Sequence, residues 1–103
     1  MKYIKINAFI PLLMLSQVEE ELKLVNVPGI TISKVKGYGK HMNFFSSDWL
    51  ESHARIEIFC CSNDKSSICE AIKKGVGTPE LFYGFIAILP VEDMFPLSDF
   101  VAE

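Results

Sequence analysis

The sequence predicts an α+β domain with its elements in the order β-α-β-β-α-β, and three observations predict it. Four short segments, Tyr3–Phe9, Ile30–Val35, Ala54–Cys61 and Phe85–Leu89, alternate apolar and polar residues or run apolar as strands do. Two segments between them carry apolar residues at helical spacing, each preceded by candidate capping side chains. The breaks fall at Pro11, Pro28-Gly29, Gly75 and Pro90, residues that end regular structure. Together these give the split β-α-β, or ferredoxin-like, arrangement: an antiparallel four-stranded sheet with both helices on one face. Right-handed crossovers narrow the strand order, and the uncovered face of the sheet then needs a partner. The fold alone names no function, because it hosts many.

In the first strand, Tyr3, Lys5 and Asn7 take one side and Ile4, Ile6 and Ala8 the other; Pro11 ends it. Ser16-Gln17-Val18-Glu19 has the capping-box pattern, in which Ser16 accepts from an early helix N–H while Glu19 reaches back. Glu19, Glu20 and Glu21 suit the positive end of that helix, and Val18, Leu22 and Val25 form its buried stripe. Pro28-Gly29 closes the element. The second strand turns Ile30 and Ile32 inward and Thr31 and Ser33 outward, and is followed by a Gly-Tyr-Gly turn and a loop, His41 to His53. In the third strand Ile56, Ile58 and Cys60 make the apolar face against Arg55, Glu57 and Phe59. Ser62-Asn63-Asp64 offers caps for the second helix, with Ile68, Ile72 and Cys69 as its buried side and Gly75 as its stop. Pro90 ends the fourth strand.

The 103 residues make one domain, 1–103, and half of them are apolar, so a real core is expected. A chain this small buries a limited share of its surface, and association with further copies would complete the burial. The net charge of −3 argues against generic nucleic-acid binding, which needs a basic face. All ten Lys and Arg lie at or before Lys74, leaving the stretch up to there at about +2 and Gly75–Glu103 at −5. An anionic ligand would therefore be held by the first part. Lys5, Asn7 and Pro11 interrupt the apolar beginning and no small-x-small site precedes Ser16, so no secretory signal or membrane span is expected. Cys60, Cys61 and Cys69 lack metal-finger spacing and fit a reducing cytoplasm; neighbours on a strand, Cys60 and Cys61 face opposite ways.

The segment Val35-Lys36-Gly37-Tyr38-Gly39-Lys40-His41 is the most suggestive stretch. Two glycines around a tyrosine can turn sharply and present backbone N–H groups, with lysine charge beside them. The competing readings are an anion-binding turn, the hinge of a moving loop and a plain strand-end turn. It matches no standard phosphate motif, since Met42 stands where a third glycine would be needed.

With that element order in hand, the chain resembles the PII signal-transduction family, as a divergent branch. The likeness is carried by Lys2-Tyr3-Ile4-Lys5-Ile6, by Gly29 through Lys40 with its Thr31-x-x-x-Val35-Lys36-Gly37-Tyr38-Gly39 block, by Arg55-Ile56-Glu57-Ile58, Glu70-Ala71-Ile72 and Pro90-Val91-Glu92. The resemblance implies a homotrimer with its three sheets packed together and effector clefts between subunits. It further implies a loop between strands two and three, here about 37–54, that docks on a partner protein such as a membrane transporter. The effector-binding residues it implies are Thr31, Lys36, Gly37, Tyr38, Gly39, Lys40, His41 and Gly84. In the family such sites take ATP, ADP and 2-oxoglutarate.

The departures from that pattern limit what carries over. The loop is shorter and has no tyrosine between Gly39 and Ala54, which removes the site for uridylylation. His41 replaces the glutamine tied to 2-oxoglutarate and magnesium. The family's Gly-Asp-Gly-Lys phosphate loop falls on Phe82-Tyr83-Gly84-Phe85, where only Gly84 survives, and the acidic tail 93–103 supplies no cation. A triphosphate carries roughly four negative charges, costly to hold unpaired even at an effective dielectric near 20. The expectation is therefore that PII-style ATP binding fails here, leaving an AMP-like or inorganic anion, held by Lys36, Lys40 and the glycine backbone, as the candidate ligand.

The loop itself is unusually apolar. Phe44, Phe45, Trp49 and Leu50 either pack onto the assembly or anchor a partner, as aromatic side chains do at binding hot spots. A second reading gives His41 and His53, with Asp48, Glu51 and Met42, to a metal ion, as in the trimeric CutA-like metal-tolerance proteins, although the histidines lack a regular ligand spacing. An enzyme reading would pair Cys60 or Cys61 with a loop histidine, but no orienting residue or oxyanion site is evident. The expectation is a cytoplasmic, non-catalytic regulator with a small-molecule effector and a protein partner.

Overall fold

In the computed structural model of the chain, residues 2–27, 29–38, 50–78 and 84–99 are described, with backbone alone at 36–38, 50, 51 and 99. Four strands, β1 (Tyr3–Pro11), β2 (Thr31–Tyr38), β3 (Leu50–Cys61) and β4 (Phe85–Val91), and two helices, α1 (Leu15–Leu24) and α2 (Lys65–Val76), follow the expected order. The sheet runs β2-β3-β1-β4, antiparallel throughout. The central strands are those with the strictest alternation. Ile6, Ala8 and Ile10 of β1 lie opposite Ile58, Ile56 and Ala54 of β3, and all six are buried beneath the helices.

The helices close that face with Val18 and Leu22 of α1 and with Ile68, Ala71, Ile72 and Val76 of α2. Ile30 and Ile32 pack against the same core as partly buried residues. Burying each of these larger side chains contributes about 1.5–3 kcal/mol relative to leaving it in water. Cys60 joins the core, and Cys61, turned to the other face, is half-buried.

Several boundaries differ from the sequence expectations, each for a local reason. A 3-10 turn, Leu12–Met14, follows Pro11, so α1 begins at Leu15 with Met14 in the capping position and no side-chain cap. Ser16 therefore sits inside the first turn, exposed, and does not form the capping box. The helix ends at Leu24, ahead of Pro28-Gly29, and Asn26 just beyond it has a left-handed φ of 57°. Asn26 N–H donates to the Lys23 carbonyl and Val27 N–H to the Leu22 carbonyl, which also accepts from Val25 N–H, a Schellman closure of the last turn. Ser62–Asp64 likewise forms a 3-10 turn without a side-chain cap.

Gly75 is not the stop of α2. It is buried within the helix where α1 crosses, and a Cβ there would lie 2.5 Å from Val18 Cα. Gly77, at φ 83°, ends the helix in a conformation other residues resist. β4 continues through Pro90 to Val91; being an edge strand, it tolerates a residue without an N–H.

Candidate functional site

The antiparallel register gathers four strand ends at one end of the sheet. β1 finishes there with Phe9–Pro11, β4 starts there with Phe85 after Gly84, and β3 passes through at His53 and Arg55. β2 and β3 continue beyond β1 as a two-stranded ribbon: Val35 lies opposite His53, Lys36 opposite Ser52, Gly37 opposite Glu51 and Tyr38 opposite Leu50. The expected turn at Gly37-Tyr38 is thus strand, and the expected loop 37–54 narrows at both ends, because its first two and last five residues are paired in the ladder. An apolar or polar pattern cannot show this, since lysine and glycine interrupt the alternation while the cross-strand hydrogen bonds continue.

The site residues fall into three groups. Lys36, Gly37 and Tyr38 lie at the root of the ribbon, with Leu50 across from Tyr38. Gly39, Lys40, His41, Phe44, Phe45 and Trp49, with Met42 and Asp48, lie outside the described residues. Thr31 begins β2, exposed, opposite Glu57. At about 3.3 Å per strand residue, Thr31 and Lys36 are separated by roughly 16 Å. One small anion cannot touch both within a single chain, so a site using both must draw them from two copies.

Gly84 joins the ribbon root through β1. A Cβ at Gly84 would collide with the Phe9 carbonyl oxygen, so only glycine permits this close approach of backbone to backbone. Next to it the rings of three strands form a column. His53 stacks on Phe9 at 4.4 Å between centroids and 15° between planes. Phe9 in turn stacks on Phe85 at 5.3 Å and 18°. His53 is 2 % exposed, a core residue of this end and not a surface histidine. The column escaped sequence reasoning. Alternation does place Phe9 with Lys5 and Asn7, but its meeting with Phe85 and His53 depends on register.

Further along the open face, Lys5 Nζ donates to Glu57 at 2.7 Å, Arg55 Nε lies 3.5 Å from the same carboxylate, and Lys5 sits 5.6 Å from the Phe59 ring centroid. The Lys5 hydrogen bond holds the Glu57 carboxyl below its ordinary value, against an opposing push from burial and with further help from the Lys5 and Arg55 charges. The Asn7 side-chain oxygen is buried without a hydrogen-bond partner among the described residues.

The cysteine–histidine pairing is not formed with His53. Cys60 points into the helix-covered core while His53 belongs to the opposite face, and Cys61, on that face, is eight residues away, roughly 26 Å along the strand. Burial also raises the Cys60 and Cys69 thiols above their ordinary value, which keeps them protonated at neutral pH. Among the described residues no group of three or more His, Cys, Asp or Glu side chains could hold a metal ion. No described helix is long and apolar enough to cross a membrane.

Comparison with known proteins agrees with this fold. Residues 2–98 match the family model of nitrogen regulatory protein P-II. A curated relative, the nitrogen regulatory protein P-II homolog of Arabidopsis thaliana, is 29% identical over 101 residues, covering 90% of this chain and 52% of its own length. The chain thus spans about half the length of that relative. A crystal structure of Arabidopsis thaliana PII bound to citrate superposes with a TM-score of 0.78 at 26% identity, covering 95% of this chain and 85% of that one.

Proposed function

The chain belongs to the nitrogen regulatory protein P-II family, and from that premise we propose that it is a non-catalytic regulator working as a homotrimer in the cytoplasm. A small anionic effector binds at the clefts between subunits, and the β2–β3 ribbon with the segment beyond it controls a partner protein, a membrane transporter being the first candidate. The family match over 2–98 carries this reading. The separation of Thr31 from Lys36 supports a site shared between copies, and the buried, unpaired Asn7 oxygen on the open face suits a donor from a second copy.

The effector residues of this reading are Thr31 from one copy and Lys36, Gly37, Tyr38, Gly39, Lys40, His41 and Gly84 from another. Phe85 occupies the place of the family's phosphate-loop lysine and is stacked on Phe9, so it gives an anion no charge to pair with. This favours a compact carboxylate or a monophosphate over a triphosphate. The citrate bound to the Arabidopsis relative is an anion of that kind. Phe44, Phe45, Trp49 and Leu50 are the docking side chains. The effector changes docking only to the extent that it binds the two arrangements of this segment with different affinity.

Trp49 is the only tryptophan, so its fluorescence reports on the docking segment alone. The test is a titration of citrate, 2-oxoglutarate, bicarbonate, AMP, ADP and ATP, followed by melting temperature and by Trp49 emission. A ligand that binds the folded protein raises the melting temperature. The expected result is a rise with a small anion accompanied by a change in emission. Micromolar ATP binding would overturn the preference for small anions. Binding with unchanged emission would overturn control through the segment.

A further inference from the structure

The edge strand β4 is left uncovered on the helix side as well as on the open face. Its Ile86, Ile88 and Pro90 pair with Ala8, Ile6 and Ile4 of β1, so they point to the helix side. The helices lie over β1 and β3, and Ile88 remains 43 % exposed with Pro90 exposed beside it. α2 begins one 3-10 turn after Cys61, which lies level with Val91 across Tyr3, and so runs antiparallel to β4. Gly75 of α2 faces α1, while Lys65, Cys69 and Lys73, spaced four apart, form a stripe on the other flank, toward β4. Burial raises the Cys69 thiol, and the charges of Lys73 and Lys65 pull it down, so both ammonium groups lie close to it. Between helix and edge strand runs a trough with Ile88 and Pro90 as its floor and these lysines on its rim.

The segment that follows β4 has the complementary composition. Glu92, Asp93 and Asp99 are acidic, and no Lys or Arg follows Lys74. Met94, Phe95 and Leu97 are 38, 50 and 93 % exposed, and residues 92–98 are exposed throughout, so their own chain does not cover them. Pro96 favours an extended backbone at Phe95, the shape a trough accepts. We propose that Glu92–Asp99 of one copy lies in the α2–β4 trough of a second copy, with Phe95 and Leu97 against Ile88 and Pro90 and the carboxylates toward Lys65 and Lys73. One surface meeting a different one is a heterologous contact, which closes as a ring of copies. The proposal does not rest on the regulatory reading, since it needs no effector and no partner protein.

The test is sedimentation equilibrium of the full chain over a concentration series, with melting temperature followed in parallel. Leu97→Ala and Ile88→Ala should each raise the dissociation constant about tenfold, as loss of a buried apolar anchor does. The double variant should be little weaker than either single one, because the two side chains share one contact. Lys65→Gln should weaken association a few-fold at low salt and much less at high salt. Leu24→Ala, 73 % exposed and outside the trough, is the control and should change nothing. Unchanged association in Leu97→Ala, additive losses in the double variant, or an equal loss in Leu24→Ala would overturn the proposal. So would a drop in melting temperature that is the same at every concentration, which would place the segment on its own chain.

Discussion

The two faces of this sheet are built from alternate residues of the same strands, yet they differ in kind. On the helix side, Ile6, Ile56 and Ile58 are fully buried, and a glycine admits the closest helix contact. On the other side, Lys5, Glu57 and Arg55 form a charge cluster beside Phe59, Phe85 and Leu89, which are 43–50 % exposed. The first face is closed by the helices over β1 and β3, leaving Ile88 of the edge strand β4 43 % exposed. The second combines satisfied charges with large uncovered apolar side chains, a mixture suited to contact with another copy. The difference separates residues that make the fold from those available for association and binding.

The largest effect tests the first face. Ile58→Ala, at a position with no exposure, should cost about 2–5 kcal/mol in urea unfolding. Gly75→Ala should cost about 1–3 kcal/mol, because its methyl group meets Val18 backbone and the helices must separate. If Gly75→Ala is neutral, the tight crossing of α1 and α2 is wrong.

Phe59→Ala separates the faces more sharply. Its loss should be under about 1 kcal/mol within the chain, as for surface substitutions generally, and appear instead as a lower mass by light scattering and a concentration-dependent melting temperature. Destabilisation equal to that of Ile58→Ala at every concentration would erase the distinction.

The smallest effect is the pH response of Glu57. Its carboxyl titrates below the ordinary value of 4.5 in the folded chain, so its stabilisation is present above that pH and is lost as pH falls through the lowered value. Glu57→Gln should flatten the acid limb of a stability–pH curve and leave the neutral region nearly unchanged. An unaltered acid limb would show that the Lys5–Glu57 contact contributes nothing.

Much of the fold was legible because strands and helices leave periodic traces. Ile6 and Ala8 in β1, Ile56, Ile58 and Cys60 in β3, and Val18 and Leu22 in α1 were all placed in the core from spacing alone, and are buried there. Element ends were less legible. Ser16 looked like a cap and Gly75 like a stop, but a 3-10 turn moved the first helix start, and Gly75 answers to Val18 across the helix pair. The candidate site was read in part. The lysine–glycine segment was visible, while its strand pairing, and the stack of His53, Phe9 and Phe85, were not.

By itself, then, the sequence determined the order of elements, the composition of the core and the acidic, lysine-free last third, because these follow from local periodicity and charge. Tertiary structure alone decided which residues meet across strands. Phe9, His53 and Phe85 are far apart in the chain, and a slip of one residue in register would turn each paired strand to the other face. Cross-strand geometry therefore gave this end of the sheet its aromatic column.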